Sequence, residues 1–222
     1  DANELYDPEF RKLIKSKKST IIIPVGSIEQ HGAHLPITTD SDIVTEIASR
    51  LAKKCGFIVF PTISYGVSEE HYPLFNTSVD SRDLGHSLDT ILRSLGENEI
   101  KSVVILNGHH GNEGSIPDDW YKQDAKLRVY SYWHFMKHEF DHAGFVETSL
   151  MLAISDKVKM KKAKKGLITN GMSEKEIQRI KKLSTERGGF PKVTENGVWG
   201  DPTKATKNDG EKFLAEIVRN LA

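Results

Sequence analysis

The chain has 222 residues, and its 31 Lys+Arg balance its 31 Asp+Glu, for a net charge of zero with neutral histidines. An apolar share of 37% and a charged share of 28% belong to a globular chain, and one of this length buries about 70% of its unfolded surface. The even charge excludes a dedicated nucleic-acid binder, which needs a basic excess. The single cysteine, Cys55, excludes an internal disulfide and a cysteine-based zinc cluster.

In chain order, the start (Asp1 to Asp7) lacks the cationic end and apolar run of a signal peptide, so the expected compartment is the cytoplasm. No apolar run approaches the roughly 20 residues of a membrane span. Thr20 to Gly26 is continuously apolar and reads as a strand buried on both faces. Ser41 to Lys54 reads as a helix, with Ile43, Ile47 and Leu51 on one face. Phe57 to Pro61 reads as a second strand, Asp83 to Leu95 as a leucine-striped helix, Ser102 to Asn107 as a third strand and Leu127 to Trp133 as a fourth. Glu147 to Ile154 is a helical pattern. Another helix starts at Ser173, where Glu176 has the capping-box spacing, and the last covers Asp209 to Leu221. Residues 186–208 read as a long ordered loop, and the lysines from Lys157 to Lys165 as a solvated helix face. Alternating strands and helices predict one α/β/α domain over residues 1–222, three layers deep, with a mostly parallel central sheet.

Ligands of such sheets bind beyond the carboxyl ends of the strands. Beyond the first strand stand Glu29, His31, His34 and Asp40; beyond the third, His109 and His110; after the fourth, His142 and Glu147. Glu29 and His31 are two apart and share a side in an extended chain. Gly108 lets the backbone turn and present His109 above the sheet. Imidazole and carboxylate without thiolate suit Zn, Mn or Fe(II), and a shared aspartate can bridge two ions. Each residue also has a plainer role: Glu29 as a surface ion pair, Asp40 as a helix N-cap, Glu147 as a first-turn acid, each histidine as a hydrogen-bonding loop residue. Their coincidence at one sheet edge favours the metal site.

Six ordered motifs carry a resemblance. They are Pro24-Val25-Gly26-Ser27-Ile28-Glu29-Gln30-His31-Gly32, Leu35-Pro36 running on to Thr39-Asp40, Tyr65-Gly66-Val67-Ser68 with His71, Asn107-Gly108-His109-His110-Gly111-Asn112, His142-Ala143-Gly144 with Glu147-Thr148-Ser149, and Gly197-Val198-Trp199-Gly200-Asp201-Pro202. Over residues 20–218 the chain resembles the creatininase family of metal-dependent amidohydrolases. The resemblance implies an α/β fold, two divalent ions per subunit (Zn, Mn or Fe), a homo-oligomer of two to six chains, and a small amide or formamide as the partner molecule.

It also implies Glu29, His31, Asp40 and His109 as metal ligands with Asp40 bridging, His142 in proton transfer, and Glu147 as a ligand or general base. Ser68, Glu70 and His71 would fall in a loop that approaches the substrate, and Trp133 would match one of two tryptophans that enclose creatinine. Two departures speak against creatinine itself. Gly111 stands where creatininase carries a glutamate ligand, and residues 138–141 offer no second tryptophan. The 112–127 connection is short for the helix normally found there, and Ile116-Pro117 suits no helix interior.

The expected activity is hydrolysis of a cyclic amide or amidine-like carbon–nitrogen bond by metal-activated water. Other readings are a deformylase of a formamidopyrimidine ribonucleotide, with Arg82, Arg187 and Lys192 as phosphate contacts, and a peptide-processing hydrolase. From a different class comes a non-catalytic metal-binding protein on the same fold.

Overall fold

Ile21, Ile23 and Val25 of the first strand pack into one apolar core, and Ile22 between them packs into a second. This two-residue alternation, with both faces buried, is the signature of a strand inside a sheet covered on two sides. A computed structural model of the chain describes residues 1–15, 20–119, 125–139 and 141–222. Four strands, β1 (Ile21–Val25), β2 (Ile58–Val59), β3 (Ser102–Asn107) and β4 (Lys126–Ser131), lie in the order β2-β1-β3-β4. All three pairings are parallel, with Ile21 opposite Ile58 and Val103, and Ser102 opposite Lys126. Pro24 is tolerated in a central strand because its missing N–H faces the β2 side. There the regular ladder has ended, and only its carbonyl is used, by Ile63 N–H at 2.9 Å.

On one face, α2 (Thr39–Cys55), α4 (Phe145–Ile154) and α7 (Lys207–Leu221) bury Ile43, Ile47, Leu150, Met151, Leu214 and Ile217 against Ile22, Val104 and Leu106. On the other, α3 (Ser81–Glu97) sets Leu84, Leu88, Leu92 and Leu95 against Val103 and Ile105. The expected single α/β domain of three layers is present, and its four-stranded sheet is wholly parallel. A further helix, α5 (Glu174–Ser184), starts at the expected capping box. Ser173 Oγ accepts from Glu176 N–H at 3.3 Å, and Glu176 accepts from Ser173 N–H at 2.9 Å.

Several expectations need correction. An N-terminal helix, α1 (Asp7–Lys15), was not apparent, because its apolar content is only Phe10, Leu13 and Ile14; Phe10 docks on Phe60 with ring centroids 6.0 Å apart. The fourth strand stops at Ser131 and passes into a 3-10 turn, Tyr132–Phe135. The 186–208 segment is not all loop: Gly189 and Pro191 start a short helix, α6 (Phe190–Val193), and a 3-10 turn covers Pro202–Lys204. The lysines of 157–165 are exposed as expected, but they flank a single 3-10 turn, Met160–Lys162, rather than a helix. Between β3 and β4 the described residues hold only the 3-10 turn His110–Asn112, in keeping with the shortened connection. Residues 120–124 of that connection, and Phe140 before His142, lie outside the described residues. Among the described residues no helix is long and apolar enough to cross a membrane.

Candidate metal centre

Two glycines bring the first turn of α2 against the ends of β1 and β3. A Cβ on Gly26 would sit 2.6 Å from Ser41 Cα, and one on Gly108 2.9 Å from the Asp40 carbonyl oxygen. Without those side chains Asp40 reaches the loops after both strands, and it is buried there. Its Oδ1 lies 3.1 Å from His31 Nε2 and its Oδ2 3.1 Å from His109 Nδ1. Asp40 is thus in the first turn of the helix rather than a cap, and its two oxygens serve two different imidazoles.

Glu29 is fully buried, with Oε2 3.2 Å from His109 Nε2 and Oε1 2.9 Å from His71 Nε2. Glu147, in the first turn of α4, reaches the cluster from the third loop; its Oε2 is 3.6 Å from His31 Nε2 and accepts from Ala143 N–H at 2.6 Å. Asp141 accepts the Val146 N–H at 3.1 Å, which fixes the start of that helix. The described residues therefore contain two groups joined through one aspartate, Glu29–Asp40–His109 and His31–Asp40–Glu147. Glu29–His31–His142 and Glu29–Glu70–His71 overlap them. In each group the ligand-type atoms all lie within 4.8 Å of one another.

Hydrogen bonds to main-chain carbonyls orient both histidines of the first two groups. His31 Nδ1 donates to the Glu29 carbonyl at 3.1 Å, and His109 Nε2 donates to the Val67 carbonyl at 2.8 Å. Each ring then turns its other nitrogen toward Asp40, which is how proteins hold ligand imidazoles. Glu29 Oε1 and Asp40 Oδ2 are buried with no aligned hydrogen bond among the described residues, although an imidazole nitrogen stands within 3.1 Å of each. Atoms this close but not aimed at one another point to shared positions between them. The donor set is carboxylate and imidazole, and it fits a divalent Zn, Mn or Fe(II) ion.

The electrostatics reflect the crowding of carboxylates. Burial pulls the His31 imidazole down, but Asp40, Glu147 and Glu29 outweigh it and raise it to about 10. His109 is likewise raised well above its ordinary value, against burial, by Glu29, Asp40 and Glu70. Burial and the Asp40 charge lift Glu147 to about 8, against the opposing pull of His31. His142 is pushed well below the ordinary imidazole value by burial, and the charge of His31 adds to it. It therefore sits in the cluster as a neutral ring, with its centroid 4.4 Å from that of His31.

Of the expected substrate-loop residues, His71 belongs to the cluster, and Glu70 lies 3.4 Å from His109 Nε2. Ser68 is buried, and its hydroxyl has no hydrogen-bond partner among the described residues. Trp133 is buried and stacks on His110 at 4.1 Å, so its ring meets the neighbour of His109 rather than solvent. Two histidines of the motifs stay outside the cluster. His34 Nε2 pairs with Thr148 Oγ1 at 2.9 Å, and His110 is half exposed.

Three contributors have no role assigned from the sequence. Gln30 bridges His71 and His142. Phe190, from the segment read as loop, covers those same two rings at 4.6 and 4.7 Å. Asn112 ties the loops together, accepting from Val67 N–H at 2.9 Å and donating to the Gly26 carbonyl at 3.0 Å.

A sequence profile of the creatininase family, described as creatinine amidohydrolase, matches residues 3–222. The chain is 32% identical over 214 residues to the mycofactocin precursor peptide peptidase of Mycobacterium ulcerans, covering 90% of this chain and 81% of that one. It is 30% identical over 183 residues to the creatinine amidohydrolase of Pseudomonas putida, covering 68% and 70%. Among solved structures, a mutant creatininase of zinc–zinc type superposes with a TM-score of 0.81 at 24% identity, covering 99% of this chain and 94% of that one.

Proposed function

The chain belongs to the creatininase family of amidohydrolases, and from that premise we propose that it acts on a carbon–nitrogen bond other than a peptide bond, hydrolysing a small cyclic amide or amidine-like bond at two divalent ions. The observation that carries the reading is Asp40, whose two oxygens face His31 and His109 separately. Glu29, Asp40 and His109 would hold one ion, and His31, Asp40 and Glu147 the other. The N/O donor set and the zinc–zinc neighbour support zinc, with manganese and iron(II) as alternatives of the same chemistry.

When bound, two such ions supply the Lewis acidity that makes water nucleophilic near neutral pH and polarises an amide carbonyl. The protein moves the protons. His142 is neutral, and its Nδ1 faces the cluster 3.8 Å from Glu29 Oε1. It accepts a proton there as the nucleophile attacks. It returns that proton to the departing nitrogen, which cannot leave as an amide anion. Phe190 over His71 and His142 keeps water from the far side of both rings. Ser68 and His71 are the nearest candidates to contact the substrate, with Trp133 behind His110.

The same reading takes a small amide as partner, a homo-oligomer as the working assembly and the cytoplasm as the compartment. The exposed Tyr65, Tyr72 and Phe75 beside the His71 loop support an assembly. The test is hydrolysis of creatinine, hydantoin-like rings and formamidopyrimidines by protein stripped of metal and reloaded with Zn, Mn or Fe(II). Metal-dependent turnover of a ring amide is expected. Turnover of formamides alone would favour the deformylase reading, turnover of peptides alone would move the substrate to the kind acted on by the M. ulcerans relative, and metal-independent turnover would overturn the reading.

A further inference from the structure

Gln30 stands between the two residues assigned to metal, yet its side chain turns to neither ion group. Its orientation is fixed from both ends. The Oε1 atom accepts the Gly32 N–H at 3.0 Å, and the amide nitrogen donates to the Gly197 carbonyl at 3.1 Å. The amide cannot be flipped without losing both bonds, since a carbonyl cannot donate and a backbone N–H cannot accept. Gly197 is part of this lock. Its φ is +70°, and a Cβ there would collide with the Gln30 Oε1 atom.

With the amide fixed, its nitrogen lies 3.0 Å from His71 Nδ1 and 3.1 Å from His142 Nε2. A donor group so placed requires a lone pair on His71 Nδ1, so the His71 ring hydrogen sits on Nε2. The two amide hydrogens are then spent on the Gly197 carbonyl and His71 Nδ1, and His142 Nε2–H donates to the Gln30 main-chain carbonyl at 3.2 Å. The ring is anchored at Nε2 by that bond, and its Nδ1 is left bare toward the cluster. The free nitrogens of the two rings, His71 Nε2 and His142 Nδ1, then converge on Glu29 Oε1 at 2.9 and 3.8 Å.

We infer that Gln30 is a positioning residue that sets the working face of both imidazoles: its side-chain amide fixes His71 as an Nε2–H donor, and its main-chain carbonyl holds His142 by Nε2 so that a bare Nδ1 faces the cluster. The inference rests on the role proposed for His142, but it makes a claim about ring protons that can be read without turnover. Replacing the amide by a carboxylate, Gln30→Glu, puts an acceptor where the donor was and draws a proton onto His71 Nδ1. Gln30→Met keeps the volume and removes the donor.

The experiment is nitrogen-15 NMR of the histidine rings in zinc-loaded wild type and both variants, with zinc content and kcat measured on the same samples. Expected in the wild type is a bare His71 Nδ1 with a protonated Nε2. Expected in Gln30→Glu is a protonated His71 Nδ1, with kcat lowered ten- to a hundredfold and zinc content unchanged, as for other orienting partners. Gln30→Met is expected to lower kcat similarly with little change in KM. A protonated His71 Nδ1 in the wild type, or ring signals and kcat unmoved in both variants, overturns the inference. A wild type that binds no zinc and hydrolyses no amide sinks the proposed function instead, and the ring protonation can then be read on the metal-free chain.

Discussion

Asp40→Ala is the substitution on which the two-ion reading stands most exposed. If the two oxygens of this carboxylate serve separate ions, its removal weakens both. The size of the effect follows from linkage, in which an ion present at a hundred times its Kd stabilises the folded chain by about 2.7 kcal/mol. Two ions give about 5.4 kcal/mol, a rise in Tm of roughly 11–22 °C for a chain of this length. Losing a charged, buried ligand weakens each ion by about 2.8 kcal/mol, a hundredfold in Kd, which lies within the range for hydrogen-bonded charged groups. At the same free metal each ion then adds only about 0.4 kcal/mol, and the metal-dependent rise shrinks to a few degrees.

The assay is a thermal melt with and without zinc, with each protein compared with its own metal-free form, so that any intrinsic cost of the substitution cancels. Zinc per chain is counted in parallel. Asp40→Asn serves as a second variant if the alanine form does not fold. A variant that loses one ion and keeps the other at wild-type affinity would refute the shared position of Asp40.

The other expectations are narrower. Glu147→Gln touches only the His31 group, so one zinc should remain and a metal increment of about 3 kcal/mol survive; loss of both ions would contradict the separation of the two groups. Ion binding should expel protons, because His31 is raised to about 10 and Glu147 to about 8 in the ion-free chain and both must give them up. Zinc affinity should accordingly climb between pH 6 and 8, by roughly tenfold per pH unit for each proton released, as read by calorimetry in buffers of different ionisation enthalpy; a flat profile would contradict it. His142→Ala should keep both ions and lower kcat by about 10²- to 10⁴-fold, and a variant with full turnover would remove His142 from the proton path. Leu88→Ala, in the fully buried α3 stripe, should cost about 2–5 kcal/mol of stability and leave zinc content unchanged, which separates core damage from damage at the cluster.

What was legible in the sequence has a common cause. Ile21 to Val25 is apolar on both faces, and the leucines of α3 recur at helical spacing, so burial alone announced these elements. Glu29 and His31 were readable as a pair from strand alternation. The meeting of Asp40 with His109, 69 positions apart in the chain, was not a matter of spacing. It depends on Gly26 and Gly108 letting α2 abut two strand ends, and a glycine shows in sequence only as a missing side chain. Gln30 falls between the two residues that strand alternation pairs, on the opposite side of an extended chain, so spacing does not mark it. Phe190 was lost in a stretch whose glycines and prolines read as loop. His34 and His110 stand in the same motifs as the cluster histidines, and only the fold shows that one turns to Thr148 and the other to Trp133.

The most direct measurement is anomalous diffraction from crystals of the zinc- or manganese-loaded protein, collected at the metal edge. Two peaks are expected, one among Glu29, Asp40 and His109 and one among His31, Asp40 and Glu147, with Asp40 touching both. A single peak, or peaks away from Asp40, would contradict the account at its centre.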